Sequence, residues 1–285
     1  QPGGYACLLS QAINNSGTIE AQLGTIALGV GEEITMTTIA LDDRATISVA
    51  IDKEVMTSIF GPDGEQIKSG IENAPKADGT GGLISANGGT VTLTAKTLNQ
   101  VFDYAINNTG IIEAKSLVDK NGEVILTAQG APIINSGTIK AGKITVGALP
   151  GCENPEFINI GKLIADGYSA DVPNGGIVTV EALTIMQQGI ISANAFEGGN
   201  AGEVDLISET STVLDEGSRT EACATGIVGN GGSINIISRL GKTLVNKTAI
   251  INISSGSISG NAGSLEVGAF DQIGFFGVLN GRAPP

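Results

Sequence analysis

A two-part unit recurs along the whole chain and constrains the fold more than any other feature. Its fullest copy is residues 106–128, INNTGIIEAKSLVDKNGEVILTA. The first half is a turn, Asn107-Asn108-Thr109-Gly110, followed by Ile112-Glu113-Ala114. The second is a turn at Asn121-Gly122 followed by Glu123-Val124-Ile125-Leu126-Thr127. Asn and Gly reach positive φ cheaply, and alternating apolar and polar residues mark a half-buried strand, so each half reads as turn then short strand.

The first half recurs at Asn14-Asn15-Ser16-Gly17-Thr18-Ile19-Glu20-Ala21 and Asn135-Ser136-Gly137-Thr138-Ile139-Lys140-Ala141, with weaker copies at 187–193 and 254–259. The second half recurs after Gly24, Gly89, Gly142, Gly176, Gly202, Gly232 and Gly263. From Gly89 onward the glycine spacings are 33, 20, 34, 26, 30 and 31. No unit carries apolar residues at three-and-four spacing, so helical repeats are excluded. One coil of strands per repeat remains, with variable loops absorbing the irregular spacing, which predicts a right-handed parallel β-helix.

A lone coil cannot bury its inward side chains, whereas stacked coils pair every strand above and below and build one apolar column. The residues expected in that column are Ile26 and Leu28, Val91 and Leu93, Val124 and Leu126, Ile144 and Val146, Val178 and Val180, Val204 and Leu206, Ile234 and Ile236, and Leu265 and Val267. Thr92, Thr145, Thr179, Asp205, Asn235 and Glu266 between them are expected to face solvent. The pattern predicts one elongated domain over residues 1–285, with about ten or eleven coils and a length of roughly 50 Å.

Two stretches depart from the pattern. Residues 30–86 read as a protruding insertion: Glu33-Ile34-Thr35-Met36 and Ala45-Thr46-Ile47-Ser48-Val49-Ala50-Ile51 flank Asp42-Asp43-Arg44 as an extra hairpin. Val55, Met56 and Ile59 fall at helical spacing, which predicts a short helix over residues 53–60. If any part carries a rod-side binding surface, this protrusion is the first candidate. Residues 150–173 are the second irregular region, and Phe275-Phe276-Gly277-Val278-Leu279 reads as a last strand.

Composition then narrows the function. The chain has 42 Gly, 9 Pro and no Trp, which suits many tight turns. A net charge of -14, from 15 Lys plus Arg against 29 Asp plus Glu, argues against nucleic acid or an anionic membrane as partner. The absence of His excludes His-based triads, imidazole acids and most zinc sites. The acidic pairs are Glu32-Glu33, Asp42-Asp43, Asp215-Glu216 and Asp63-Gly64-Glu65. Neighbouring strand side chains point to opposite faces, so these read as solvated turns rather than acid/base couples. Gly-Gly-x-Gly-x-Asp calcium repeats are absent. No catalytic, metal or cofactor residue is therefore assigned.

Cys7, Cys152 and Cys223 do not form a disulfide framework. Cys7 reads as a small core residue, and Cys152 and Cys223 lie two or three coils apart, too far for a disulfide unless a loop folds back. Asn14, Asn107, Asn246 and Asn252 each begin an Asn-x-Ser/Thr acceptor pattern. Two of the four fall on the repeat's turn, where Asn serves positive φ or an amide ladder between coils. The chain has no initiator Met and no leading signal sequence, and it reads as a processed piece of something longer.

NNSGTIEA, GGLISANGGTVTLTAKT, NNTGIIEAKSLVDKNGEVILTA and INSGTIKAGKITVGA resemble the filamentous haemagglutinin family, large exoproteins of bacterial two-partner secretion. The resemblance is strongest over residues 1–149 and falls in the part of those proteins downstream of the secretion signal domain. It implies a secreted or surface-held β-helix of a Gram-negative-type envelope, acting as adhesin, filament or coat component. The partners it implies are more of the same polypeptide or neighbouring surface subunits, cell-surface glycans, and an outer-membrane transporter during export. The family's asparagine-proline secretion motifs are absent, and no catalytic residue or cofactor comes with the resemblance. A carbohydrate-active β-helix enzyme, a polysaccharide lyase or hydrolase, is the alternative the fold class leaves open.

Overall fold

The computed structural model describes residues 3–41, 44–118 and 120–285. Each coil has three short sides. In the fourth coil these are Glu123–Gln129, Ile133–Asn135 and Thr138–Ala141, and every side pairs in parallel with its counterparts one coil before and after. The third side forms a nine-stranded sheet, giving nine coils, fewer than the ten or eleven expected from the sequence. On a rise of about 4.8 Å per coil the rod is roughly 40 Å long. The first and second sides join into one sixteen-stranded sheet, because in the sixth and seventh coils single strands, Ile177–Gln187 and Glu203–Leu214, run through the corner between them. The whole is a right-handed parallel β-helix.

The predicted column is present. Ile26, Leu28, Val91, Leu93, Val124, Leu126, Ile144, Val146, Val178, Val180, Val204, Leu206, Ile234 and Ile236 are buried in one continuous core, and in-register pairing places like over like. Leu265 and Val267, in the last coil, are only partly covered. Thr92, Thr145, Thr179, Asp205 and Asn235 sit half-buried on the outer face and Glu266 is exposed. Strands rich in Val, Ile and Thr suit this pleat, where each side chain meets its own kind in the next coil.

Glycines mark two corners. At the corner after the third side, a methyl group on Gly89, Gly176, Gly202, Gly232 or Gly263 would overlap the carbonyl oxygen of the corner glycine one coil earlier. The same holds at the corner after the second side for Gly110, Gly137, Gly161 and Gly189. Close backbone approach, not positive φ, therefore fixes these glycines. The asparagines likewise do not adopt positive φ, since the described non-glycine residues that do are Leu23, Gln100 and Thr248. The second of the two readings of Asn applies. Asn15, Asn73, Asn108, Asn135, Asn159 and Gln187 end the second side of coils one to six and point inward as a buried amide ladder.

Each amide nitrogen donates to the next amide oxygen: Asn15 to Asn73 at 2.8 Å, Asn73 to Asn108 at 2.8 Å, Asn108 to Asn135 at 2.7 Å, Asn135 to Asn159 at 2.8 Å and Asn159 to Gln187 at 2.7 Å. The ladder ends where Gln187 Nε2 donates to the carbonyls of Gly189 and Arg219. Beyond it the same position holds Leu214, Val245 and Phe275. The polar stack moves instead to the corner between the first two sides, where Thr212 donates to Ser208 at 2.9 Å and Ser208 to Ser238 at 3.0 Å, while Thr243 donates to Gly268 O at 2.8 Å.

The insertion differs from its predicted extent. Ser69–Asn73 and Leu83–Ser85 are the second and third sides of the second coil, so the insertion proper is residues 31–68. The hairpin is present as Glu33–Leu41 paired antiparallel with Arg44–Lys53; Asp42-Asp43 lies outside the described residues. Val49 and Ile51 lie over Gly29, beside Leu9, so the first side is covered on both faces there. No helix forms over 53–60. Val55 instead extends the sheet edge, its N–H donating to Lys96 O and its O accepting from Leu98 N–H, while Met56 and Phe60 are exposed. A three-residue helical spacing did not outweigh an available strand edge. The predicted last strand is two, Gln272–Phe275 and Val278–Asn280, with Gly277 at the corner between.

Asn135→Ala, in the middle of the ladder, takes the acceptor from Asn108 Nδ2 and the donor from Asn159 Oδ1 in the core and is expected to cost about 2–4 kcal/mol. Asn15→Ala, at the ladder's end, is expected to cost about half as much; urea titration of both variants distinguishes a ladder from independent side chains. Gly202→Ala is expected to destabilise by about 2 kcal/mol or more through backbone overlap. Gly147→Ala, where a methyl has only an ordinary contact with Glu181 O, is expected to fall within about 1 kcal/mol of the parent by the same measurement.

Candidate functional site

Besides the corner that carries residues 31–68, the corner after the third side is where the coils differ. An inward alanine precedes it and a glycine follows it, and in most coils the glycine N–H donates back to that alanine's carbonyl, as Gly89 does to Ala86, Gly202 to Ala193 and Gly232 to Ala222. Chain inserted between the two is pinched into a loop that leaves the column undisturbed. The third coil inserts a segment between Ala114 and Gly122, and the fifth inserts residues 166–175. In the fourth coil Gly142 follows Ala141 directly. The glycine spacing of 20 between Gly122 and Gly142 was the sequence's only sign of this.

The missing loop leaves a cleft of about 860 Å3. Its floor is Lys140, Ala141, Gly142 and Lys143; one wall carries Lys115, Ser116, Leu117 and Val118, the other Asp166, Tyr168, Asp171 and Val172. Lys115 and Lys140 approach one carboxylate, Glu113, at 3.3 and 3.9 Å, and Lys143 pairs with Glu123 at 2.8 Å. The Tyr168 hydroxyl crosses the gap and donates to the Ser116 carbonyl.

Behind the fifth coil's wall lies a buried polar group. Asp166 accepts from the Asn194 N–H at 2.7 Å, Asn194 Oδ1 accepts from the Cys223 N–H at 2.9 Å, and the Asn194 amide reaches Glu221 at 3.4 Å. Glu221 is held by Arg219. Burial raises the Asp166 carboxyl above its ordinary value, opposed by hydrogen bonds from the Asn194 N–H and the Ser192 hydroxyl. Burial, then the charges of Glu221 and Asp166, push the Cys223 thiol up to about 11. This network was not legible from the sequence, because its members come from three coils and share no local motif.

The carboxylate pairs singled out from the sequence are dispersed. Glu32 pairs with Lys53 at 2.6 Å at the hairpin's base, and Asp63 accepts from the Glu65 N–H in an exposed turn. Asp215 accepts from Gln188 and Asn246 of the neighbouring coils at 3.0 and 2.9 Å, which holds its carboxyl below the usual range. Among the described residues no group of three or more His, Cys, Asp or Glu is placed to hold a metal ion. Asn14 is exposed and Asn107 half-buried on the outer face of the second side, each next to a buried ladder residue.

The cysteines are free thiols. Cys152 Sγ donates to Gln129 Oε1 at 3.0 Å and Cys223 Sγ to Asn194 Oδ1 at 3.2 Å. Cys7 does not lie in the column: its neighbours Ala6 and Leu8 take the inward positions over Ile26 and Leu28, which turns Cys7 to the other face with Ala27.

No family model matches the sequence. Over 84 residues the chain is 34% identical to the heme/hemopexin-binding protein of Haemophilus influenzae, a stretch that covers 28% of this chain and 9% of that protein. The chain thus matches a small part of that relative's length.

Because the folded carboxyl of Asp166 binds its proton more tightly than the unfolded one, ionised Asp166 costs stability as the pH rises through its folded pKa. Asp166→Asn is expected to raise the thermal midpoint at pH 7. The gain is expected to vanish below the ordinary aspartate value of 3.8, where the parent carboxyl is protonated in both states; melting curves across that range check it.

Proposed function

We propose that this chain is a length of a secreted or surface-held, non-enzymatic β-helical rod of the filamentous haemagglutinin type, built to project an adhesive or filament-forming surface from a bacterial envelope. One observation supports the reading: residues at equivalent positions stack in register through nine coils, which is the layout of a repetitive rod with a long lateral surface. The order of the motifs resembles that family, and the stretch similar to the heme/hemopexin-binding protein of Haemophilus influenzae supports a bacterial setting. The inward residues of the last coil, among them Phe275 at 39% and Leu279 at 47% exposure, suit contact with further coils of the same polypeptide or a neighbouring subunit. The net charge of -14 turns the rod away from nucleic acid and leaves cell-surface glycans or proteins as lateral partners, with an outer-membrane transporter serving export.

The test is a mass and N-terminal sequence of the protein as recovered from its native cell surface, with negative-stain imaging of the same material. A parent chain much longer than 285 residues, seen as fibres or a surface layer, is the expected result. A free, monodisperse protein of this size that shortens acidic polysaccharides would overturn the rod in favour of a carbohydrate-active enzyme.

A further inference from the structure

Asn-Gly steps occur five times in the chain, beginning at Asn87, Asn121, Asn174, Asn230 and Asn280. Three of them are held in one way. The Asn side-chain oxygen accepts from a backbone N–H of the next coil, and the following glycine N–H donates to the carbonyl of that same residue. Lys115 clamps Asn87-Gly88 so, at 2.9 and 2.8 Å. Asn200 clamps Asn174-Gly175 at 2.9 Å for both bonds, and Asn261 clamps Asn230-Gly231 at the same distances. Asn280 is fixed differently, as the last residue of the paired strand Val278–Asn280, its carbonyl accepting from Ile253 N–H. Asn121-Gly122 stands apart. The coil that would clamp it turns at Ala141-Gly142 without a loop, and Asn121 is exposed, with no side-chain hydrogen bond among the described residues. The Gly122 N–H, which at this corner in other coils locks onto the inward alanine, meets the Ser116 hydroxyl at a long 3.4 Å.

We propose that Asn121 is a site of spontaneous amide-to-acid conversion, left open by the missing loop of the fourth coil. The Gly122 nitrogen attacks the Asn121 side-chain carbonyl carbon. The new N–C bond closes a five-membered succinimide, and the side-chain nitrogen leaves as ammonia with the proton that Gly122 gives up. Water then opens the ring at either carbonyl, leaving aspartate or isoaspartate; water is the one co-reactant. Glycine suits the attacking position because it has no Cβ to hinder the approach and its backbone rotates freely. The clamp blocks the reaction at the other steps by fixing the carbonyl and by committing the glycine N–H to a partner, so both bonds must open before the ring can close. Asn121 lines the cleft, and either product places a carboxylate there, beside the Lys143–Glu123 pair. Isoaspartate also adds a backbone carbon directly before Gly122, which lies so close to the Ala114 carbonyl that a methyl group would overlap it. The assignment does not depend on the rod reading, since it follows from the corner geometry alone.

The test incubates the intact chain in mildly alkaline buffer, native and in parallel unfolded in urea, and follows acid formation at each Asn-Gly step by peptide mapping and mass spectrometry. In the native chain Asn121 is expected to convert about tenfold or more faster than Asn87, Asn174 or Asn230, where two hydrogen bonds must open first. In urea the clamps are gone, and the four rates are expected to converge. Asn121→Gln is expected to remove the fast native conversion, because the longer side chain would have to close a six-membered ring. Native conversion at any clamped step as fast as at Asn121 overturns the proposal. So does an Asn121 that keeps its amide in the native chain over the time in which it converts in urea.

Discussion

Parallel, in-register pairing between successive coils is the interaction on which everything else here depends. Because each backbone rung hydrogen-bonds to the one above and below, a residue's neighbours along the axis are fixed by register, and register places chemically equivalent positions on top of each other. Val91, Val124, Ile144 and Val178 form one row for that reason, and Asn73, Asn108, Asn135 and Asn159 another. The same rule makes errors expensive. A polar residue in an apolar row would be buried without partners, while a polar residue in a polar row is satisfied twice, once from each side. The amide ladder survives inside the core because its members supply one another with both donor and acceptor.

The rule also explains why the polar row changes place. At Leu214 the ladder position turns apolar and stays so at Val245 and Phe275, so the amides end in a single step at Gln187, whose longer side chain reaches the carbonyls of Gly189 in its own coil and Arg219 in the next. In the same coils Ser208, Ser238, Thr212 and Thr243 take up hydrogen bonding at another corner. A column of this kind accepts a polar row at a corner, where the chain bends and backbone carbonyls turn inward, but two long rows would thin the apolar filling. The chain carries one at a time.

Rows that repeat are legible in a sequence, and departures from the row are much less so. The alternation after each glycine identified the column and the solvent-facing positions, and the glycines themselves revealed both corners. The Asn–Gly turns were harder, because positive φ and an amide ladder demand the same residues; only the buried partner atoms of Asn108 and Asn135 separate the two. The helix expected over 53–60 failed because Val55 found a strand edge at Lys96, a partner 41 residues away that local spacing cannot register. The coil count ran high because the insertion at 31–68 and the corner loops occupy sequence without adding rungs. The cleft's origin was present in the spacing of 20 between Gly122 and Gly142, yet its walls come from longer neighbours on either side, so its shape needed three coils at once.

The placing of length variation at corners follows from the same stacking. A loop inserted within a side would break the register of every following residue on that side, whereas a loop closed at its base by a glycine-to-alanine hydrogen bond returns the chain to the position it left. The corner after the third side is therefore one place where length changes without cost to the column, as the corner between the first two sides is for residues 31–68. Its longer loops are tied to each other in turn: Ala195 bridges Ala224, Val228 bridges Ser259, and Asn174, Asn200, Asn230 and Asn261 form a chain of side-chain-to-backbone bonds along the outside. The loops thus behave as a second, shorter stack beside the first, governed by the same demand that each rung be paired. Where one rung is missing, at Ala141-Gly142, the Tyr168 hydroxyl of the fifth coil reaches across to the Ser116 carbonyl of the third.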